Sequence, residues 1–449
     1  MLPPAQQADT TVSAIRARLV VLAVSLPFLV LKVWLAATTH GTDDVRTFQQ
    51  FAGVIDRVGP VGIYGVAHPA GDLYNHPPLT GCLLWVLQQL SRHGASFPLL
   101  IRLPATVADV FTSLLVFELV RGWRNSTRRA MWAGIGTACS PVLVIISGYH
   151  GNIDPLFILF VLLSVWLLTQ RHLPLLAGLT FALALSIKVV PLVALPVVLL
   201  WALLRSRRTL LMFAGGLAAT FTVVWGPSVA LHWPAVRDNV LGYNGWSSPQ
   251  WGLAPILSDL GVKSTELHPL LGELRTPVVV ASALLGMFLV WRRRDALGPA
   301  VGISLACLLL LSTATGTQYL AWAVAGLFIA EPWTALLYSL VGGVFLFKLY
   351  DAWTKGTWDV ARAARWSPED SQLGLLTWAS LAAALVCAVR AVLHSPDAPS
   401  HNRTASDNPQ PNSSQETETE RRLSAAVRAA LQHPTPAATG AVGHTNVES

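Results

Sequence analysis

Residues 173–204 read LPLLAGLTFALALSIKVVPLVALPVVLLWALL, with Lys188 as their single charge and Arg171 and Arg205 on the two flanks. A bilayer crossing takes about 20 apolar residues, so this run is too long for one span. Pro191 and Pro196 also interrupt it. Basic residues collect in cytoplasmic loops. With both flanks on the cytoplasmic side, the run crosses twice, as two short helices with an outward turn near Lys188.

The same bookkeeping extends in both directions. Arg16 and Arg18 precede a first span at 17–38, which places the N-terminus inside. No small-residue cleavage site follows that run, so it reads as a retained helix. A first outer loop, 39–98, contains an amphipathic stretch from Val45 to Val58, with Phe48, Phe51, Ala52 and Ile55 at helical spacing. The run from Pro77 to Leu90 is apolar but short and opens with Pro-Pro. If it crossed, Arg121, Arg124, Arg128 and Arg129 would land outside. It therefore reads as a second interfacial or re-entrant helix. Further spans follow at 99–120, 130–148, 153–170 and 209–230, then a second outer loop at 231–276. The spans 277–291, 297–313, 318–330, 333–350 and 372–394 complete 12 crossings with both termini inside. The expected fold is an all-α polytopic membrane protein, with a membrane domain over 1–394. Residues 395–449, rich in Ser, Thr, Pro, Asn and Ala, read as a disordered cytoplasmic tail with a surface helix within Thr417–Gln432.

Composition agrees. Of 449 residues, 53% are hydrophobic and 12% charged, about half the usual charged share of a soluble domain. The net charge of +7 lies in short clusters between apolar runs, so it marks orientation and not a nucleic-acid surface. Cys82, Cys139, Cys307 and Cys387 all fall in apolar segments without a CxxC pair and read as small buried hydrophobes.

Polar groups gather at the outer ends of the spans. His40, Asp43 and Asp44 follow the first one. Tyr64, Asp72, Tyr74, Asn75 and His76 share its loop. His150, Asn152 and Asp154 lie between two spans, Lys188 sits at the outward turn, and Gln318-Tyr319 follows Thr313-Ala314-Thr315-Gly316-Thr317. Charge bookkeeping puts all five groups on one face of the membrane.

These segments resemble the GT-C superfamily of membrane glycosyltransferases, especially its mannosyltransferase-like branches. The resemblance is carried by Thr42-Asp43-Asp44-Val45-Arg46-Thr47-Phe48, Gly62-Ile63-Tyr64 and Tyr74-Asn75-His76-Pro77-Pro78-Leu79 in the first outer loop. His150-Gly151-Asn152-Ile153-Asp154-Pro155, Ser186-Ile187-Lys188-Val189-Val190-Pro191 and Gln318-Tyr319-Leu320-Ala321-Trp322 carry it further. The resemblance implies a polyprenyl-phosphate sugar donor, a glycolipid, glycan or protein acceptor outside the cytoplasm, and inverting single displacement. It also implies a carboxylate base just after the first span, which favours Asp44 over Asp43, with Thr42 or Asp43 as the cap of the following helix. No metal and no cofactor are expected, because two adjacent aspartates supply too few oxygen ligands.

The leaving phosphate needs cations or donors. Lys188 is the first candidate, against a snorkelling role. His150 is a second and Arg102 a third. Asp154 either caps a helix or binds a sugar hydroxyl or orients His150. Tyr74, His76, Asn152, Gln318 and Tyr319 are substrate-binding candidates, against turn and helix-start roles. Trp233, Tyr243, Trp246 and Trp251 in the second loop suit interfacial anchoring. The rival readings are a transporter or flippase, which would show repeat symmetry and midplane polar sites, and a non-catalytic scaffold. A bacterial inner membrane fits the alanine-rich composition.

Overall fold

The computed structural model describes residues 4–66, 73–243, 251–253, 256–257, 260–312, 316–354, 358 and 367–395. Asp72, Trp246, the Thr313–Thr315 segment and the tail from 396 on lie outside them. Among the described residues the regular elements are all helices. They run α1 (Pro4–Thr38), α2 (Asp43–Gly62), α3 (Pro78–Arg92), α4 (Phe97–Arg124), α5 (Thr127–Ala138), α6 (Pro141–Ile145), α7 (Asp154–Thr169), α8 (Pro174–Ile187), α9 (Leu195–Arg205), α10 (Arg207–Ala235), α11 (Ser264–Arg292), α12 (Leu297–Leu311), α13 (Ala321–Ala330), α14 (Pro332–Trp353) and α15 (Pro368–Leu393). Lipid offers backbone groups no partners, so helices are the natural elements of such a chain.

Among the described residues, seven helical segments are long and apolar enough to cross a membrane, and five shorter apolar helices accompany them. The five shorter helices fall in the stretches read as the remaining spans. The 173–204 run folds as expected: α8 stops at Ile187, Lys188 is extended, a 3-10 turn spans Val190–Val193, and α9 leads to Arg205. α2 buries Val45, Phe48, Phe51, Ala52, Val54 and Ile55 along one face, and α3 packs against it.

Helicity runs further than hydropathy in the second outer loop. α10 continues to Ala235 past a kink at His232, a π-helical turn covers Val236–Leu241, and α11 already starts at Ser264. Polar residues extend a helix once its apolar part is anchored, so the 231–276 loop is much shorter than apolarity suggests. Trp251 is no interfacial anchor: it is 1% exposed, and its indole N–H donates to Gly316 O at 3.3 Å. Of the cysteines only Cys307 is fully buried, and Cys82 is exposed on α3.

Helix pairs in lipid have no hydrophobic drive to associate and rely on close packing. Gly302 and Gly326 let α12 and α13 meet backbone to backbone, where an added Cβ on Gly302 would lie 2.3 Å from Gly326 Cα. Gly178 does the same for α8 on α10, 2.0 Å from Phe213 O. Between α1 and α4, Lys32 pairs with Asp109 at 2.5 Å, both side chains 3% exposed.

Candidate active site

The site begins with a change of helical pitch. After α5, Ser140 and Pro141 restart the chain as α6, which passes into a π-helical turn over Ile146–His150. π turns carry one residue more per turn and often mark functional positions. Gly151 ends the turn at φ 92, and a Cβ there would lie 2.3 Å from Val45 Cγ2. Gly41, at φ 77, is equally tight against Tyr149 O and Val45. These two left-handed glycines let the first turn of α2 seat directly on the π turn. Thr42 then accepts the Asp44 backbone N–H as the cap of α2 and donates its hydroxyl to His150 O at 2.9 Å.

The result is an Asp44–His150 contact of 3.0 Å through Nε2. Nδ1 of His150 meets the Tyr350 hydroxyl, which meets Thr317 Oγ1 at 3.1 Å. A proton on Nε2 satisfies both contacts: the imidazole donates to the carboxylate and accepts from the phenol. Asp43 points elsewhere, 54% exposed and paired with Arg46 at 3.4 Å.

A second pair stands beside the first. Lys188 Nζ lies 3.0 Å from Asp154 Oδ1, and Trp322 Nε1 donates to Asp154 Oδ2 at 2.6 Å. Asp154 is fully buried and contributes no side-chain cap to α7. Asn152 does that instead, accepting the Asp154 N–H at 2.8 Å. Tyr319 stacks on Trp322 with ring centroids 4.3 Å apart, and the Lys188 ammonium lies 5.7 Å from the Tyr319 ring. Thr80 ties the start of α3 to Ile187 O at 2.9 Å, so α3 holds the end of α8 and Lys188 with it.

His76 closes the cluster from the first loop, leaning on Phe48 with centroids 5.0 Å apart. Its backbone oxygen accepts the Tyr64 hydroxyl at 2.7 Å. Burial, joined by Lys188, pushes the His76 imidazole down to about 3, so it is neutral at physiological pH. Burial alone would raise the Asp44 carboxyl, but the His150 contact and the Lys188 ammonium outweigh it and bring the group below its ordinary value. Asp44 is therefore an ionised carboxylate beside two imidazoles and an ammonium.

A cavity of about 260 Å³ opens from this cluster. Lys188, Tyr319 and Trp322 stand at its head, and Val190, Val279 and Leu308 form its apolar wall. Asn75 and Arg275 also line it.

Two sequence candidates sit outside this group. Arg102 is fully buried, and its guanidinium is spent on Ala36 O, Thr39 O and Oγ1, Gly148 O and Tyr149 O, with distances of 2.6–3.2 Å. It knits α4 to the end of α1 and to the π turn, and leaves no donor for a phosphate. Tyr74 lies behind His76, edge-on to Phe51 and Tyr64 and 2% exposed, with its hydroxyl buried and unbonded. Gln318 occupies the 3-10 turn Thr317–Leu320, next to Gly316. Tyr350, Thr317 and Trp322 join the site without having been singled out. Trp322 closes the Gln318–Trp322 motif, whereas Tyr350 at the end of an apolar helix carries no local signal.

A family model, glycosyltransferase family 87, matches residues 74–314, more than half of the chain. The chain belongs to glycosyltransferase family 87. It is thus a membrane glycosyltransferase of the GT-C type, and the transporter and scaffold readings fall away. The matched stretch includes His76, His150, Asn152, Asp154 and Lys188, while Asp44, Gln318, Tyr319 and Tyr350 lie outside it. No curated protein matches the chain.

Proposed function

We propose that this family 87 enzyme transfers a hexose or pentose, mannose among them, from a polyprenyl-phosphate donor to a glycolipid, glycan or protein acceptor on the extracytoplasmic face. One observation carries the reading: an ionised carboxylate, Asp44, lies within electrostatic reach of the Lys188 ammonium, and Lys188 itself lines a largely apolar cavity among the helices.

In this reading the polyprenyl chain lies along Val190, Val279 and Leu308, and its phosphate meets Lys188. The acceptor hydroxyl oxygen attacks the anomeric carbon as the carbon–oxygen bond to the phosphate breaks. Asp44 takes the hydroxyl proton, and polyprenyl phosphate leaves with the bonding electron pair. Single displacement inverts the anomeric centre. His150 holds the Asp44 carboxylate in place through its Nε2–H, with Tyr350 fixing the ring. Asp154 orients Lys188 and, through its paired charge, keeps the ammonium in an otherwise apolar surround. Neutral His76 can donate to the leaving oxygen or to a sugar hydroxyl without repelling Lys188. The negative charge that develops on the leaving group is balanced by an ammonium already oriented toward it.

The test supplies membranes with radiolabelled sugars either on polyprenyl phosphate or on nucleotides. The reading expects label in lipid or polymer from the former alone, with Lys188→Met losing at least about a hundredfold in rate, as for a removed charge-stabilising donor. Incorporation from nucleotide sugars without a lipid intermediate overturns it.

A further inference from the structure

The helices that deliver the polar cluster have far ends, and a second cavity lies there. α7 starts at Asp154 and α8 ends beside Lys188, so Gln170 and His172, in their connection, sit a helix length away. That is roughly 20 Å at 1.5 Å per residue. A cavity of about 360 Å³ lies between this connection, the ends of α4 and α9, and the start of α12.

Its lining has two characters. Leu119 and the Trp201 ring give it an apolar floor. Arg205, the last residue of α9, and Arg294, from the α11–α12 connection, line it together with His172. Neither guanidinium has an ion-pair or hydrogen-bond partner among the described residues. Asp295 lines the cavity too, its carboxylate paired with Arg293 at 3.4 Å. Trp123 also lines the cavity, and its indole N–H is buried without a partner. α12 begins against the same space with Gly298 and Pro299, and its cap residue Ala296 offers no side-chain acceptor. The first turn of α12 therefore keeps its positive end.

The positive-inside rule accounts for arginines on this face. It does not account for a cavity, open at one side, that these two exposed arginines share with a buried, unsatisfied N–H and an uncapped helix start. Buried donors are nearly always bonded, so this one calls for an acceptor. We propose that the cavity binds the phosphate diester of an anionic phospholipid from the leaflet on this side, with one acyl chain over the Leu119–Trp201 floor. Arg205 and Arg294 donate to the phosphate oxygens, and the Trp123 N–H donates to one of them. A zwitterionic headgroup brings its own cation toward the arginines and binds less well. The lipid is a resident ligand, separate from the donor and acceptor of the transfer reaction.

The test places the full-length protein in nanodiscs of phosphatidylcholine and phosphatidylglycerol and reads retained lipid by native mass spectrometry. Wild type is expected to retain phosphatidylglycerol preferentially. Arg205→Gln/Arg294→Gln should lose that enrichment by about tenfold, the scale of lost charge-assisted bonds. Arg207→Gln/Arg208→Gln removes the same charge from the neighbouring exposed start of α10 and should keep it. Trp123→Phe, which retains a ring and removes the N–H, should weaken retention severalfold. Inorganic phosphate at millimolar concentration should not displace the lipid. Equal retention of the two lipids, equal loss in both arginine pairs, or capture of free phosphate in place of lipid would each overturn the assignment.

Discussion

Asp44 and Asp43 are neighbours with opposite fates, because helical geometry sends adjacent side chains about 100° apart. One meets His150, and the other meets Arg46 and water. The hydrogen-bond chain behind Asp44 sets the first prediction. Tyr350→Phe removes the phenol that fixes His150, a bond worth about 1 kcal/mol, so kcat should fall roughly fivefold with KM little changed. A change confined to KM would remove Tyr350 from this role. His76 sets the second. Its folded-state pKa of about 3 lies below its ordinary 6.5, so the unfolded chain takes up a proton that the native protein refuses. That contribution to stability is complete above pH 6.5 and is lost as pH falls toward 3. Thermal unfolding at pH 7.5 and 4.5 should show a larger drop for wild type than for His76→Gln, and equal drops would contradict the assigned protonation. Lys188, His150 and Asp154 were legible because charge and polarity amid apolar sequence are costly without a purpose. Arg102 looked the same and is not part of the cluster, because its carbonyl partners beyond its own helix come from two segments, the end of α1 and the π turn, that meet α4 only in the folded chain.

At the scale of elements, the apolar helices were legible from run length, proline position and basic flanks, and α2 from its apolar spacing. The π turn was not. It is held by Arg102, which donates to Gly148 O and Tyr149 O, and by two glycines that admit α2, contacts that come from distant parts of the chain. The Lys32–Asp109 pair stands just behind this turn, since a Cβ on Gly148 would touch Lys32 Cα at 3.0 Å. Removing one partner leaves a buried charge uncompensated. Lys32→Met should therefore destabilise the protein by about 3–5 kcal/mol, while Lys32→Met/Asp109→Leu should recover most of it. Melting of the purified variants decides the matter, and a double variant no better than the single one would show that the pair holds more than its own charges.

The whole molecule separates two kinds of polarity. Residues from α2, the π turn, the α8–α9 connection and the 3-10 turn before α13 assemble one polar cluster, joined to an apolar cavity within the helices. The opposite helix ends carry the basic connections. A polyprenyl donor suits this layout, since its chain can stay among apolar side chains while its phosphate reaches Lys188. Side-by-side turnover of Asp44→Asn and Asp43→Asn, at matched protein levels in membranes given labelled polyprenyl-phosphate sugar, tests the account most directly. It predicts a loss of at least about a thousandfold for Asp44→Asn, in the range of a removed general base, and near wild-type turnover for Asp43→Asn. Full turnover by Asp44→Asn would contradict it.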